Sequence, residues 1–163
     1  MDPNPNPLYP DTTTWAILLA VWLGFAVFFV ILALAAYVVM ALALMKFFAK
    51  VGVEPWIAWV PIYSTWKWLE LGGFASWIAL LALIPYGGLV TSVFLYIGMY
   101  RTGFAFRKGG EWVVLGIFLP FVWAFLLGRA EERYEPELIV QAGFPRPLVG
   151  YGSVAGPAPT AGA

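Results

Sequence analysis

Ser64 and Lys67 stand three residues apart in the run PIYSTWKWLEL, and at that spacing a hydroxyl and an amine share one face of a helix. Such a pair is the minimum of a serine nucleophile activated by a lysine base, as used in acyl transfer. A lysine does that work only when desolvation lowers its pKa, and Glu70 at the next turn favours the charged ammonium instead. Lys67 and Glu70 are therefore read as an interfacial ion pair whose stems lie along an apolar surface. No residue is assigned a catalytic role.

The rest of the inventory narrows the chemistry further. Cysteine and histidine are both absent, which removes thiolate nucleophiles, imidazole acid/base catalysis and the usual zinc, haem and iron–sulfur ligands. No cofactor and no metal are expected. The glycines of GFAFRKGG, Gly103 to Gly110, lack the strand context of a phosphate-binding loop. No carboxylate lies deep within a long apolar run, which argues against proton-coupled transport. Lysine plus arginine equal aspartate plus glutamate at nine each, so there is no basic excess to meet nucleic acid.

The elements that must position these residues are apolar. With 62% hydrophobic and 11% charged residues, a chain of 163 residues lacks the polar surface that a soluble domain needs. Trp15 to Met45 contains no charged side chain over thirty-one residues. As a helix that stretch rises roughly 46 Å against a hydrocarbon core of about 30 Å. The expected fold class is an all-α integral membrane protein. Asp11 to Thr14 offer N-cap side chains just before Trp15, whose ring suits the outer headgroup layer. The segment 1–14 carries Asp2 and Asp11 but no basic residue, and the run behind it is about twice the length of a signal-peptide core. It is expected to remain as an anchor. Lys46 and Lys50 follow it, so the positive-inside rule puts the N-terminus outside and Lys46 in the cytoplasm.

The transmembrane domain, 15–134, is expected to hold helices near 15–49, 55–71, 76–100 and 112–128, with kinks at Pro61, at Pro85 with Gly87 and Gly88, and at Pro120. The second segment spans only about 25 Å as a helix and includes Pro61, Lys67 and Glu70. The architecture is thus a bundle of four helices, alternatively three plus a re-entrant or interfacial one. In the four-crossing arrangement Lys46, Lys50, Arg101, Arg107 and Lys108 face the cytoplasm, while Lys67, Arg129, Arg133 and Arg146 lie outside. Short loops then divide their basic residues five to one, against three to three for three crossings. Four crossings with an outside C-terminus are expected. A tryptophan precedes Pro61, Pro85 and Pro120 in turn, at spacings too uneven for an internal repeat.

Trp56, Trp59, Tyr63 and Trp66 fall at i, i+3, i+7 and i+10, one helical face suited to contact lipid or a partner as an aromatic belt. Arg107 and Lys108, set between glycines, suit anionic headgroups or an acidic patch. Glu54 and Glu111 sit near helix N-termini, where a carboxylate is favoured. Gly24, Ala33, Ala36, Ala41 and Ala43 permit close helix contacts, within one chain or between subunits. Residues 135–163, rich in proline, glycine and alanine, are expected to be a flexible tail.

Three ordered motifs, LMKFFAKVGVEPWIAWVPIYS, SWIALLALIPYGG and GFAFRKGGEWVVLGIFLPFVWAFLLG, cover roughly Ala41 to Tyr134. Together they resemble a family of small bacterial multi-pass membrane proteins of uncharacterised function, often labelled signal peptidase I. The resemblance implies the bacterial cytoplasmic membrane. It also implies an asparagine after each Pro-Ile-Tyr-like motif, where this chain has Ser64 and Gly88. A Ser-Met motif many tens of residues ahead of a lysine, as the peptidase label implies, is not found. The expectation is a non-catalytic accessory or scaffolding subunit, in contact with membrane lipids and with a protein partner or a second copy of itself. The alternatives are a small oligomeric channel or lipid-handling protein built on the kinked helices, and a Ser64/Lys67 peptidase.

Overall fold

The computed structural model describes residues 11–151, and among them every regular element is helical. The chain divides into two compact units, Met1–Val38 and Val39–Ala163, and the first helix, α1 (Thr12–Val51), contributes to both. It starts three residues before Trp15 because Asp11 supplies the cap: its Oδ1 accepts the Thr14 N–H at 2.8 Å and its carbonyl accepts the Trp15 N–H at 3.1 Å. Residues 1–10, most of the expected N-terminal segment, lie outside the described residues, as do 152–163. Within the first unit none of the described side chains is buried, and nothing approaches within 4 Å of the Cβ that Gly24 lacks. Among the described residues α1 is the one helix long and apolar enough to cross a membrane.

In the second unit proline sets the boundaries. Each residue before a proline is pushed out of the helical region by its ring. Val60 has φ −111° and ψ 102°, Ile84 φ −100° and ψ 151°, and Leu119 φ −137° and ψ 65°. Pro61 and Pro120 accordingly open helices α2 (Pro61–Leu71) and α5 (Pro120–Leu127), where the missing N–H costs nothing. Pro85 lies in the turn between a 3₁₀ segment, Ser76–Leu83, and α3 (Gly87–Ala105). The expected kinks at Pro61, Pro85 and Pro120 are thus helix starts and a turn. Gly87 and Gly88 begin α3, and Gly87 is required there because a Cβ would collide with the Leu81 carbonyl.

The four expected helices are replaced by a long helix end and two hairpins. The Ser76–Leu83 segment runs antiparallel to α3: Phe74 meets Phe94 with ring centroids 5.2 Å apart, and the Thr91 hydroxyl donates to the Ile78 carbonyl at 3.0 Å. Where this hairpin begins, the backbones of Gly72 and Gly98 touch. The segment 112–128 breaks at Leu119 into α4 (Glu111–Phe118) and α5, each only about 12 Å long. The two fold back on one another, so Trp123 reaches Gly116 while Gly128 packs against Lys46 and Phe47. Beyond α5 the chain is not an appendage: α6 (Glu137–Gln141) buries Ile139, and the Glu135 N–H donates to the Ala105 carbonyl at 2.8 Å. Further on, the Leu148 N–H donates to the Glu70 carbonyl at 2.9 Å, and Pro147 is fully buried. The flexible-tail expectation is corrected for residues 135–150, where Ile139, Phe144 and Pro147 supply enough apolar surface to dock.

The core is aromatic and centred on Phe47. Its ring lies 5.3 Å from Trp123, 6.1 Å from Phe106 and 6.2 Å from Trp68, and the two indoles stack at 5.8 Å.

Candidate functional site

The Ser64 and Lys67 side chains each engage a different partner. Ser64 sits in the first turn of α2, is buried, and donates its hydroxyl to the Pro61 carbonyl at 2.8 Å. The Lys67 ammonium lies 2.8 Å from Glu70 Oε2, while the Trp66 indole N–H donates to Oε1 of the same carboxylate at 2.9 Å. Both oxygens of Glu70 are therefore occupied, and the Lys67 ammonium also faces the Tyr63 ring at 5.6 Å. A charged lysine bound to a carboxylate is no base for a hydroxyl that already has an acceptor.

The aromatic face divides in two. Trp56 and Trp59 belong to a 3₁₀ turn, Pro55–Trp59, whereas Tyr63 and Trp66 belong to α2, and extended Val60 between them breaks the helical register. Trp56 and Tyr63 still meet, at 6.0 Å between ring centroids. Trp56 and Trp59 remain exposed, and the Trp66 indole is committed to Glu70.

Arg107 and Lys108 are not free cations. Arg107 pairs with Glu135 at 2.9 Å and Lys108 with Glu132 at 2.8 Å, so the GFAFRKGG loop holds the chain that follows α5. The Lys50 ammonium donates to the Ala130 carbonyl at 3.2 Å in the same region. Arg101 completes this polar end: its Nη1 donates to the Gly72 carbonyl at 3.0 Å, and its guanidinium lies 4.2 Å from the Phe74 ring and 5.6 Å from that of Phe144. From the sequence Arg101 counts only as one of the basic residues that flank the crossings. The aromatic-rich loop of Phe74 was the available signal.

These contacts correct the expected placement of charge. Residues 105–108 and 130–135 meet at one end of the second unit, with Lys50 beside them, whereas four crossings would have separated Arg107 and Lys108 from Arg129 and Arg133. The turns at the opposite ends of the hairpins, Ile84–Gly87 and Phe118–Phe121, carry no charge.

Glu54 precedes the 3₁₀ turn and makes no side-chain capping bond among the described residues, and Glu111 opens α4. Ala41 and Ala43 are buried, while Ala33 and Ala36 are exposed. Trp68 Nε1, Trp123 Nε1, Arg101 Nε and the Tyr134 hydroxyl are buried without a hydrogen-bond partner among the described residues. Burial holds the Tyr134 phenol well above its ordinary range, with Tyr151 adding to the effect, so it stays neutral and offers no proton at physiological pH. Among the described residues there is no group of three or more acidic side chains placed to hold a metal ion.

No curated protein and no solved structure matches the chain. Residues 56–136, which take in α2 to α5 and the loop held by Arg107 and Lys108, match a family of unknown function, DUF5684.

Proposed function

We propose that the chain is a non-catalytic protein of the bacterial cytoplasmic membrane that works by lateral packing, as an accessory or scaffolding subunit. The observation that carries this reading is the described part of the first unit, residues 11–38, in which an almost wholly apolar helix buries no side chain. Exposed apolar surface on that scale marks a lipid or protein interface. The second unit supports the same reading, since Trp77, Leu83, Ile84, Tyr86, Leu89 and Phe118 are all more than half exposed. All nine basic residues follow Met45, so the N-terminus lies outside and the charged end of the second unit faces the cytoplasm. Both hairpins then enter the bilayer from the cytoplasmic face and return to it.

A channel built on kinked spanning helices loses its main support, because the prolines begin helices or sit in turns. The peptidase reading loses its support at Glu70.

Purification of the tagged chain from its native membrane in mild detergent, followed by mass spectrometry, is expected to recover a stoichiometric protein partner or a homo-oligomer. Recovery as a lone monomer in every mild detergent overturns the scaffolding reading. The chain has no cysteine, so single cysteines report topology directly. Arg107→Cys and Arg133→Cys are expected to label from the same side of the membrane, and labelling from opposite sides restores four crossings.

A further inference from the structure

The second unit carries an apolar groove of about 460 Å³ between the last turns of α1 and α5. Val39, Leu42, Ala43 and Lys46 line it at i, i+3, i+4 and i+7 of α1. Phe121 and Phe125, one turn apart on α5, line the facing wall, with Arg129 just past the end of that helix. The two helices run the same way, because Gly128 packs on Lys46 and Phe47 and, further along both segments, the Lys50 ammonium donates to the Ala130 carbonyl. Apolar side chains therefore fill one end of the groove, and both cations stand at the other.

Those two cations differ from the others around them. Arg107 and Lys108 have carboxylate partners, whereas the Lys46 ammonium rests 4.5 Å from the centre of the Phe125 ring and, among the described residues, neither it nor Arg129 is in an ion pair. Glu131 and Glu132, the nearest carboxylates in sequence, line a separate polar pocket with Arg107 and Arg133. The groove thus pairs a long apolar trough with two uncompensated positive charges at its mouth.

We propose that this groove binds an anionic phospholipid of the surrounding bilayer, with its phosphate between Lys46 and Arg129 and one acyl chain lying along Val39, Leu42, Phe121 and Phe125. The proposal rests on the membrane reading and adds a specific ligand to it. Charge complementarity selects this occupant over an apolar helix, which would leave both cations without a counter-ion. The position matches the general pattern in which basic pockets between helices on the cytoplasmic side take anionic headgroups. Lys46 also lies where the positive-inside rule sets that side.

The test is lipid retention by the purified full-length protein in detergent, read by native mass spectrometry during titration with phosphatidylglycerol or with phosphatidylcholine. One phosphatidylglycerol per chain is expected to bind, with affinity falling at least about tenfold in Lys46→Gln/Arg129→Gln. Arg107→Gln/Lys108→Gln is expected to leave it unchanged. Val39→Trp, at a position already exposed, is expected to weaken binding by filling the apolar end. Equal binding of both lipids, or equal retention by wild type and Lys46→Gln/Arg129→Gln, overturns the site. A Val39→Trp protein that changes oligomeric state without changing lipid affinity assigns the groove to a second copy and also overturns it. Membrane insertion is read separately by alkaline carbonate extraction, so loss of the lipid site and loss of the membrane reading are distinguishable.

Discussion

Residues 12–38 and 39–51 belong to one helix, are both largely apolar, and meet opposite fates. In the first stretch Trp15, Trp22, Phe25, Phe28 and Phe29 are all more than half exposed. In the second, Phe47, Phe48 and Val51 are completely buried. Hydrophobicity alone does not separate them. What marks the second stretch is the set of rings around it: Trp68, Phe106 and Trp123 surround Phe47. The lesson is that apolar content measures a need for a non-aqueous environment, while specific large rings facing small residues determine whether protein or lipid meets that need.

The largest test of this contrast exchanges tryptophans. Trp123→Ala, which removes a fully buried indole, is expected to lower stability by about 3–5 kcal/mol in detergent unfolding. Trp22→Ala removes the same side chain from the bare helix and is expected to change stability by no more than about 0.5 kcal/mol. Similar losses at both sites would mean that the first unit is packed against protein. A smaller effect comes from glycine. A Cβ on Gly72 would stand 2.6 Å from Gly98 Cα, so Gly72→Ala is expected to cost about 1–3 kcal/mol by thermal unfolding. Gly24→Ala meets no atom and is expected to strengthen its helix by roughly 0.5–1 kcal/mol, seen as greater amide-exchange protection.

The smallest effect is at the start of α1. The Thr14 hydroxyl and N–H hold the Asp11 carboxyl below its ordinary range. The cap therefore contributes above the unfolded value of about 3.9 and is lost as pH falls through the lower folded one. The Thr14 amide shift in an NMR pH titration is expected to follow that lower midpoint, and a midpoint at the ordinary value would remove the cap.

Much of this fold was legible in the sequence, and the failures share a cause. The long apolar helix and the Lys67–Glu70 pairing need only composition and local spacing. Proline was readable as a break but not as a change of direction, since Pro120 opens a returning helix only because Leu119 is extended and Trp123 finds a pocket at Phe47. The docking of residues 135–150 was missed because its contacts reach far along the chain, from Glu135 to Ala105 and from Leu148 to Glu70. Low apolar content in a segment does not prevent binding when a few side chains meet a prepared surface. The groove cations were hidden for the same reason. Lys46 and Arg129 lie 83 positions apart and look like ordinary flanking charges until their helices are placed side by side.

The two uncharged turns, Ile84–Gly87 and Phe118–Phe121, have a consequence for biosynthesis. Residues 71–100 and 112–128 hold no charged side chain, so on the membrane reading proposed above neither hairpin would have to carry one into the bilayer. On that same reading, the uncharged turn of each hairpin would lead the way in.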